Sequence, residues 1–416
     1  MTEPNRMRRR ASSLLLSACL ALAGCTLDTH ATGRRGAPEL EDAGFDGSFD
    51  RGVDEMPVEE PEDAGQDASP ALILDAGHEG DAGHEMDAAP SDAGAHADAQ
   101  TDAGSDADVE GPLSDGGYPE LLSQTGLYQS IQYDVVRGDV MSFQPHFVLW
   151  SDGAIKRRWL RLPVGKQIDT SDMDAWNFPV GTKAWKEFRV DGVRVETRML
   201  HKAAEDRWVM VAYRWRADQR DADAVPAGQA NALGTAHDIP DQTQCVRCHN
   251  SQGVLLGVSA LQLSHDLSGR NLMSLAREGR LSKPPAANFK IPGGTLAENA
   301  LGYLHANCGH CHRPGTTAYE QILKRGPRTG GPIFWERTDK LDTLEHTLGY
   351  STTVLQPNSV LPDLHIIEPG YPDKSEMVIR ASQRGEGTLQ MPPIGTEVAD
   401  ETGLKQVKDW ITSLKK

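Results

Sequence analysis

Thr295-Leu296-Ala297-Glu298-Asn299-Ala300-Leu301-Gly302-Tyr303-Leu304-His305-Ala306-Asn307-Cys308-Gly309-His310-Cys311-His312 carries two signals in one stretch. Thr295 to Glu298 has the pattern of a capping box, and Leu301 and Leu304 continue an apolar helical stripe into Cys308. Cys308 to His312 is a C-x-x-C-H pentapeptide. Two cysteines separated by two residues at a helix can both reach the vinyl groups of one haem, and the next residue, His, points at the iron.

Working outward, a second copy stands upstream: Cys245-Val246-Arg247-Cys248-His249. The remaining cysteines, Cys19 and Cys25, lie in an N-terminal export segment, so no cysteine is left over. Two covalently attached haem c groups are therefore expected, on Cys245, Cys248 and His249 and on Cys308, Cys311 and His312. A four-cysteine zinc site or two vicinal disulfides are the alternatives. Neither needs a histidine directly after the second cysteine in both copies.

A basic segment, Arg6 to Arg10, precedes an apolar run from Leu14 to Ala23 that is too short to span a bilayer permanently. Leu22-Ala23-Gly24-Cys25 resembles a bacterial lipobox. That resemblance implies a signal peptide over 1–24, lipidation of Cys25 as membrane anchor, and loss of Cys19. Thr26 stands where the usual inner-membrane retention signal has Asp, which favours the outer membrane, facing the periplasm or the cell surface. An ordinary signal peptide with an incidental cysteine is the other reading.

The formal net charge is -18, and its distribution matters more than its size. From Gly36 to Gly117 there are 24 acidic residues against the single Arg51, whereas residues 118–416 hold 34 acidic and 35 basic residues. The acidic segment repeats Asp-Ala-Gly at Asp42, Asp63, Asp75, Asp81, Asp92 and Asp102, and it lacks the apolar surface to offset the entropy of ordering. A disordered tether over 25–117 is expected, extended by like-charge repulsion. No basic stripe points to nucleic acid.

From 118 to 235 a β-rich domain is expected. Phe147 to Trp150, Arg158 to Leu162, Ala184 to Val190, Val193 to Leu200 and Trp208 to Trp215 read as strands, and Asp191-Gly192 reads as a tight hairpin turn. Six of the eight tryptophans fall here, as core and sheet-face residues or as the lining of a ligand site. Residues 217–243 read as a polar connector. Residues 236–290 hold the first haem motif, then a helix over Leu267 to Glu278. Glu401 to Leu414 reads as an amphipathic terminal helix.

Residues 295–414 resemble a class I c-type cytochrome domain: a first helix, Cys308-Gly309-His310-Cys311-His312, Pro369-Gly370-Tyr371-Pro372-Asp373-Lys374-Ser375, Met391-Pro392-Pro393, and a last helix with Trp410-Ile411. The resemblance implies that His312 is the proximal iron ligand and Met391 the distal one. A thioether ligand favours ferrous iron, as suits an electron carrier. The family pattern is departed from by a long insertion, about 316–368. His310 is expected to face solvent, and His305 to touch the haem edge or to be polar surface.

The first site lacks a following Met-Pro. Met273 and His265 are the nearby candidates for its sixth ligand, with Met199, His201 or Met210 of the β-rich domain as others. The fold class expected overall is multidomain: signal and tether, an all-β sandwich or barrel, then a mainly α cytochrome c-like haem region over 236–290 and 291–416. From Tyr118 onward the chain also resembles a family of exported dihaem bacterial lipoproteins through Leu149-Trp150-Ser151-Asp152-Gly153-Ala154, Glu196-Thr197-Arg198-Met199-Leu200 and the two haem motifs. The function expected is electron transfer between redox partner proteins. A dihaem peroxidase or oxidase with an open haem at His249, or a haem-containing surface binding protein, is the alternative.

Overall fold

The Asp191-Gly192 turn adopts left-handed backbone at both residues (φ 49° and 81°), which a two-residue hairpin turn requires and Asp-Gly tolerates. The computed structural model describes residues 111–249, 254–324, 330–357, 360–385 and 387–415. The export segment, Cys25 and the Asp-Ala-Gly repeats lie outside them. Residues 111–117, expected to close the tether, instead join the folded part: Leu113 bridges to Pro119 and the Ser114 amide donates to the Tyr118 carbonyl (2.8 Å).

Two short strands, Tyr128–Ser130 (β1) and Val135–Val136 (β2), pair antiparallel. Six more form an antiparallel meander in chain order: Met141–Ser142 (β3), Ile155–Arg161 (β4), Lys183–Val190 (β5), Val193–Ala204 (β6), Arg207–Trp215 (β7) and Ala222–Ala224 (β8). The expected strand at Phe147 to Trp150 is absent, because its amides are taken elsewhere. Phe147 N–H donates to Gln262 Oε1 (3.0 Å) and Trp150 N–H to Asn307 Oδ1 (2.7 Å). The expected connector over 217–243 contributes β8, which pairs with β7.

Alternation along the strands divides the sheet into two faces. Trp159, Trp185, Val211, Tyr213 and Trp215 cluster with Tyr118, Leu122, Leu127 and Tyr128. Their polar atoms are answered inside that core: Trp185 Nε1 donates to Thr125 Oγ1 (3.2 Å), Trp215 Nε1 to Thr197 Oγ1 (3.0 Å) and Tyr213 OH to the Pro119 carbonyl (2.9 Å). Most of the tryptophans are thus core, and truncating such a ring costs about 3–5 kcal/mol.

The other face, with Leu160, Ala184, Leu200 and Met210, packs on Leu255, Val258, Leu263, Leu272, Leu275 and Leu281. The chain that follows the first motif therefore lies against the sheet.

Beyond β8, the α-helices are Gln242–Cys248 (α1), Leu272–Arg277 (α2), Gly294–Asn307 (α3), Thr317–Leu323 (α4), Leu348–Ser351 (α5), Glu376–Ala381 (α6) and Glu401–Ser413 (α7). Only α3 and α7 are long, and irregular stretches separate the rest. α2 is shorter than the expected Leu267 to Glu278, because Asn271 and Ser274 form a capping box that starts it late. At α3 the expected Thr295 box does not form, and Gly293 occupies the cap with φ 94°.

α3 and α7 pack through Ala297, Ala300, Leu301 and Leu304 against Val407, Trp410 and Ile411. A Cβ on Gly403 of α7 would stand 2.0 Å from the Tyr303 ring, so the crossing needs glycine there. No helix among the described residues is long and apolar enough to cross a membrane.

Candidate functional site

Asp241 starts α1 by accepting from the Thr243 and Gln244 amides (2.8 and 3.1 Å), and Gln242 Nε2 ties the helix to β7 at the Met210 carbonyl (2.7 Å). The first motif is thereby fixed on the sheet. His249 ends the helix, and its Nδ1 lies 2.6 Å from the Val254 carbonyl. An N–H at Nδ1 leaves Nε2 with the lone pair that a metal needs. Burial pushes the His249 ring down to about 4, so the neutral form prevails.

α3 runs directly into the second motif. The Cys308 N–H donates to the Leu304 carbonyl (2.8 Å), and the His312 N–H to the Cys308 carbonyl (2.9 Å). Between them Gly309 allows close backbone approach, since a Cβ there would meet the His305 carbonyl at 2.6 Å. His312 packs edge-on to Phe334 at 5.3 Å, and burial pushes its ring down to about 4. The Pro332 carbonyl favours the protonated ring, although Nδ1 has no partner at hydrogen-bond geometry.

His310 departs from expectation. It is buried, and its nitrogen lies with the thiols of Cys248 and Cys311 in a group whose donor atoms are all within 4.8 Å of one another. The hydrogen bond from the Cys311 thiol, aided by His310, pulls Cys248 well below the ordinary thiol range and pushes Cys311 up. His305 is buried rather than at a surface: its Nδ1 accepts from the Glu336 amide (3.0 Å) and its ring lies tilted against Trp335, centroids 4.4 Å apart.

A cavity of about 710 Å³, within the usual range for small-molecule sites, joins the two motifs. Cys245, Cys248, His249, Cys308, His310, His312 and Met391 all line it. Met391 is held by its own amide, which donates to the Arg380 carbonyl (3.0 Å), and Pro392 and Pro393 restrict the chain after it. The other walls come from the sheet, with Lys186, Arg198, Met199 and Met210, and from Trp150, Arg380 and Arg384.

Other expected ligands are not brought there. Met273 does not line the cavity. His265 has both nitrogens engaged, Nε2 with the Gln144 carbonyl (2.7 Å) and Nδ1 accepting from the Leu267 amide (3.0 Å). A ring with two partners has none left for iron. His201 lines a separate cavity with Asp139 and Arg161.

The residues present fit covalent haem. The thiols of Cys245, Cys248 and Cys308 and the rings of His249 and His312 face one space, which Cys311 does not line and whose walls mix apolar side chains with Lys186, Arg198, Arg380 and Arg384. Several lining residues carry buried polar atoms that have no partner among the described residues: His310 Nδ1, His312 Nδ1, Arg384 Nε and Thr396 Oγ1. Lys186 and Arg198 are lining cations of the sheet that the two haem motifs do not reveal, although Arg198 lies in the Glu196-Thr197-Arg198-Met199-Leu200 stretch. Their signal in the sequence is a cation at an inward position of a central strand.

No family model, curated protein or solved structure matches the chain.

Proposed function

We propose that this protein is a dihaem c-type cytochrome of the cell envelope, lipid-anchored through Cys25, that passes electrons between redox partner proteins. The observation that supports this most directly is that both motif histidines, His249 and His312, line one cavity together with Met391. Cys245 and Cys248 would hold one haem and Cys308 and Cys311 the other, with residues 291–416 forming a class I cytochrome c-like haem domain. Bound there, haem supplies one-electron redox chemistry.

The protein's own contribution is to orient and to seal. The Val254 carbonyl fixes the tautomer of His249, Met391 presents a thioether on a constrained loop, and burial keeps both imidazoles neutral. The neighbouring thiols of Cys248 and Cys311 bring the two attachment edges together, which suits exchange between centres.

A second reading has one observation in its favour. Cys248, His310 and Cys311 form a three-donor group of the kind that binds zinc. One experiment separates the two readings: intact mass, optical spectrum and EPR of the full chain matured in a host with a cytochrome c assembly system. Two covalent haems, both low-spin and one methionine-ligated, are expected. One high-spin haem would move the function to small-molecule chemistry at His249. Bound zinc without haem would replace the proposal.

A further inference from the structure

The sheet face that looks into the cavity carries too few carboxylates for its cations. Arg158 on β4, Lys186 on β5 and Arg198 on β6 are direct cross-strand neighbours, three like charges in one row. Opposed like charges destabilise a sheet unless something neutralises them. Glu196 answers Arg198 with a two-pronged pair (2.6 and 2.9 Å) and also contacts His237 (2.7 Å).

Nothing comparable serves the other two cations. Arg158 is buried, and among the described residues neither it nor Lys186 has an ion pair. Lys186 Nζ sits over the Phe188 ring at 5.4 Å, and Arg198 stands over the same ring at 4.5 Å. Arg158 does not line the cavity, so within the row it is half-buried Lys186, unpaired and at the cavity wall beside Arg198, that is open to an anion supplied from outside the sheet.

Lys186 and Arg198 line the same cavity as the first motif and act electrostatically on His249. We propose that Lys186 and Arg198 are the carboxylate anchor of the first site, taking the anionic side groups of the porphyrin held by Cys245 and Cys248. This rests on the dihaem reading above. It makes the sheet the electrostatic half of the first centre, with positive charge favouring its reduced form.

The test uses the full matured chain with Lys186→Met and Lys186→Arg, reading the number of covalent haems by mass and each reduction potential by spectroelectrochemistry. With two haems retained, Lys186→Met is expected to lower one potential and leave the other in place, while Lys186→Arg stays near wild type. Arg198→Gln serves if Lys186→Met does not accumulate, with the same one-sided fall expected. Two unmoved potentials, or two that fall equally, overturn the anchor while leaving the dihaem reading intact. Wild-type protein without covalent haem overturns both.

Discussion

The thiols of Cys248 and Cys311 lie within 4.8 Å of each other, although each belongs to a different C-x-x-C-H motif. Two thiols this close, hydrogen-bonded to each other, are placed for disulfide formation when one is deprotonated and an oxidant is supplied. Chain produced without haem attachment and then oxidised should form a cross-link between these two residues. Peptide mapping under non-reducing conditions is expected to find it, and Cys248→Ser to abolish it. Links confined within each motif would show that the motifs stand farther apart.

Met391 should control one centre and not the other. Replacing it with His keeps a sixth ligand but exchanges thioether for imidazole, which favours ferric iron. Axial-ligand choices span roughly 0.8 V, so a fall on the order of a hundred millivolts or more is expected in one potential. Met391→Ala should add loss of methionine ligation in the optical spectrum. Unchanged spectra in both variants would return Met391 to a packing role.

Glu336 predicts a pH dependence of stability. It is buried, its two carboxylate oxygens accept from the Leu348 and Gly349 amides (2.8 Å each), and burial pushes it from 4.5 to about 7. The folded chain therefore holds a proton that the unfolded chain releases between these values. Stability from this group is present below pH 4.5 and is lost as pH rises to about 7, by roughly 3 kcal/mol. Chemical unfolding of wild type and Glu336→Gln across that window checks it: the wild-type curve should fall with pH relative to the variant. Parallel curves would mean that the two amide donors outweigh burial.

The parts of the fold written in local chemistry are the ones the sequence makes legible. Asp191-Gly192 demands positive φ, and the β5–β6 hairpin turns there. Aromatic and β-branched composition between turn signals marks β5 to β7, and the terminal helix over Glu401 to Leu414 differs from α7 by one residue. Phe147 to Trp150 has strand composition, but side chains distant in sequence, Gln262 and Asn307, claim its amides. His310 looks like a variable surface position until α1 and the second motif are brought together. Lys186 and Arg198 join the site only through the register of β5 on β6, a long-range property that no short motif carries.

The crossing of α3 and α7 offers the last prediction, and it concerns the frame that holds the second motif. Tyr303 lies on α3 five residues before Cys308, and its ring comes within 2.0 Å of where a Cβ of residue 403 would stand. Gly403→Ala must push that ring or the helix aside. Alanine is the better helix former by about 1 kcal/mol, so propensity alone predicts a stabilised protein. Overpacking of a fitted contact costs about 1–3 kcal/mol, and the overlap is with a partly buried ring packed between two helices, so destabilisation should win. Denaturant unfolding should give a lower midpoint for Gly403→Ala, partly restored by Tyr303→Leu in the same chain. Because α3 carries Cys308 at its end, the variant should also disturb the His312 centre before the His249 centre. A stabilised Gly403→Ala would show that the two helices can part without cost.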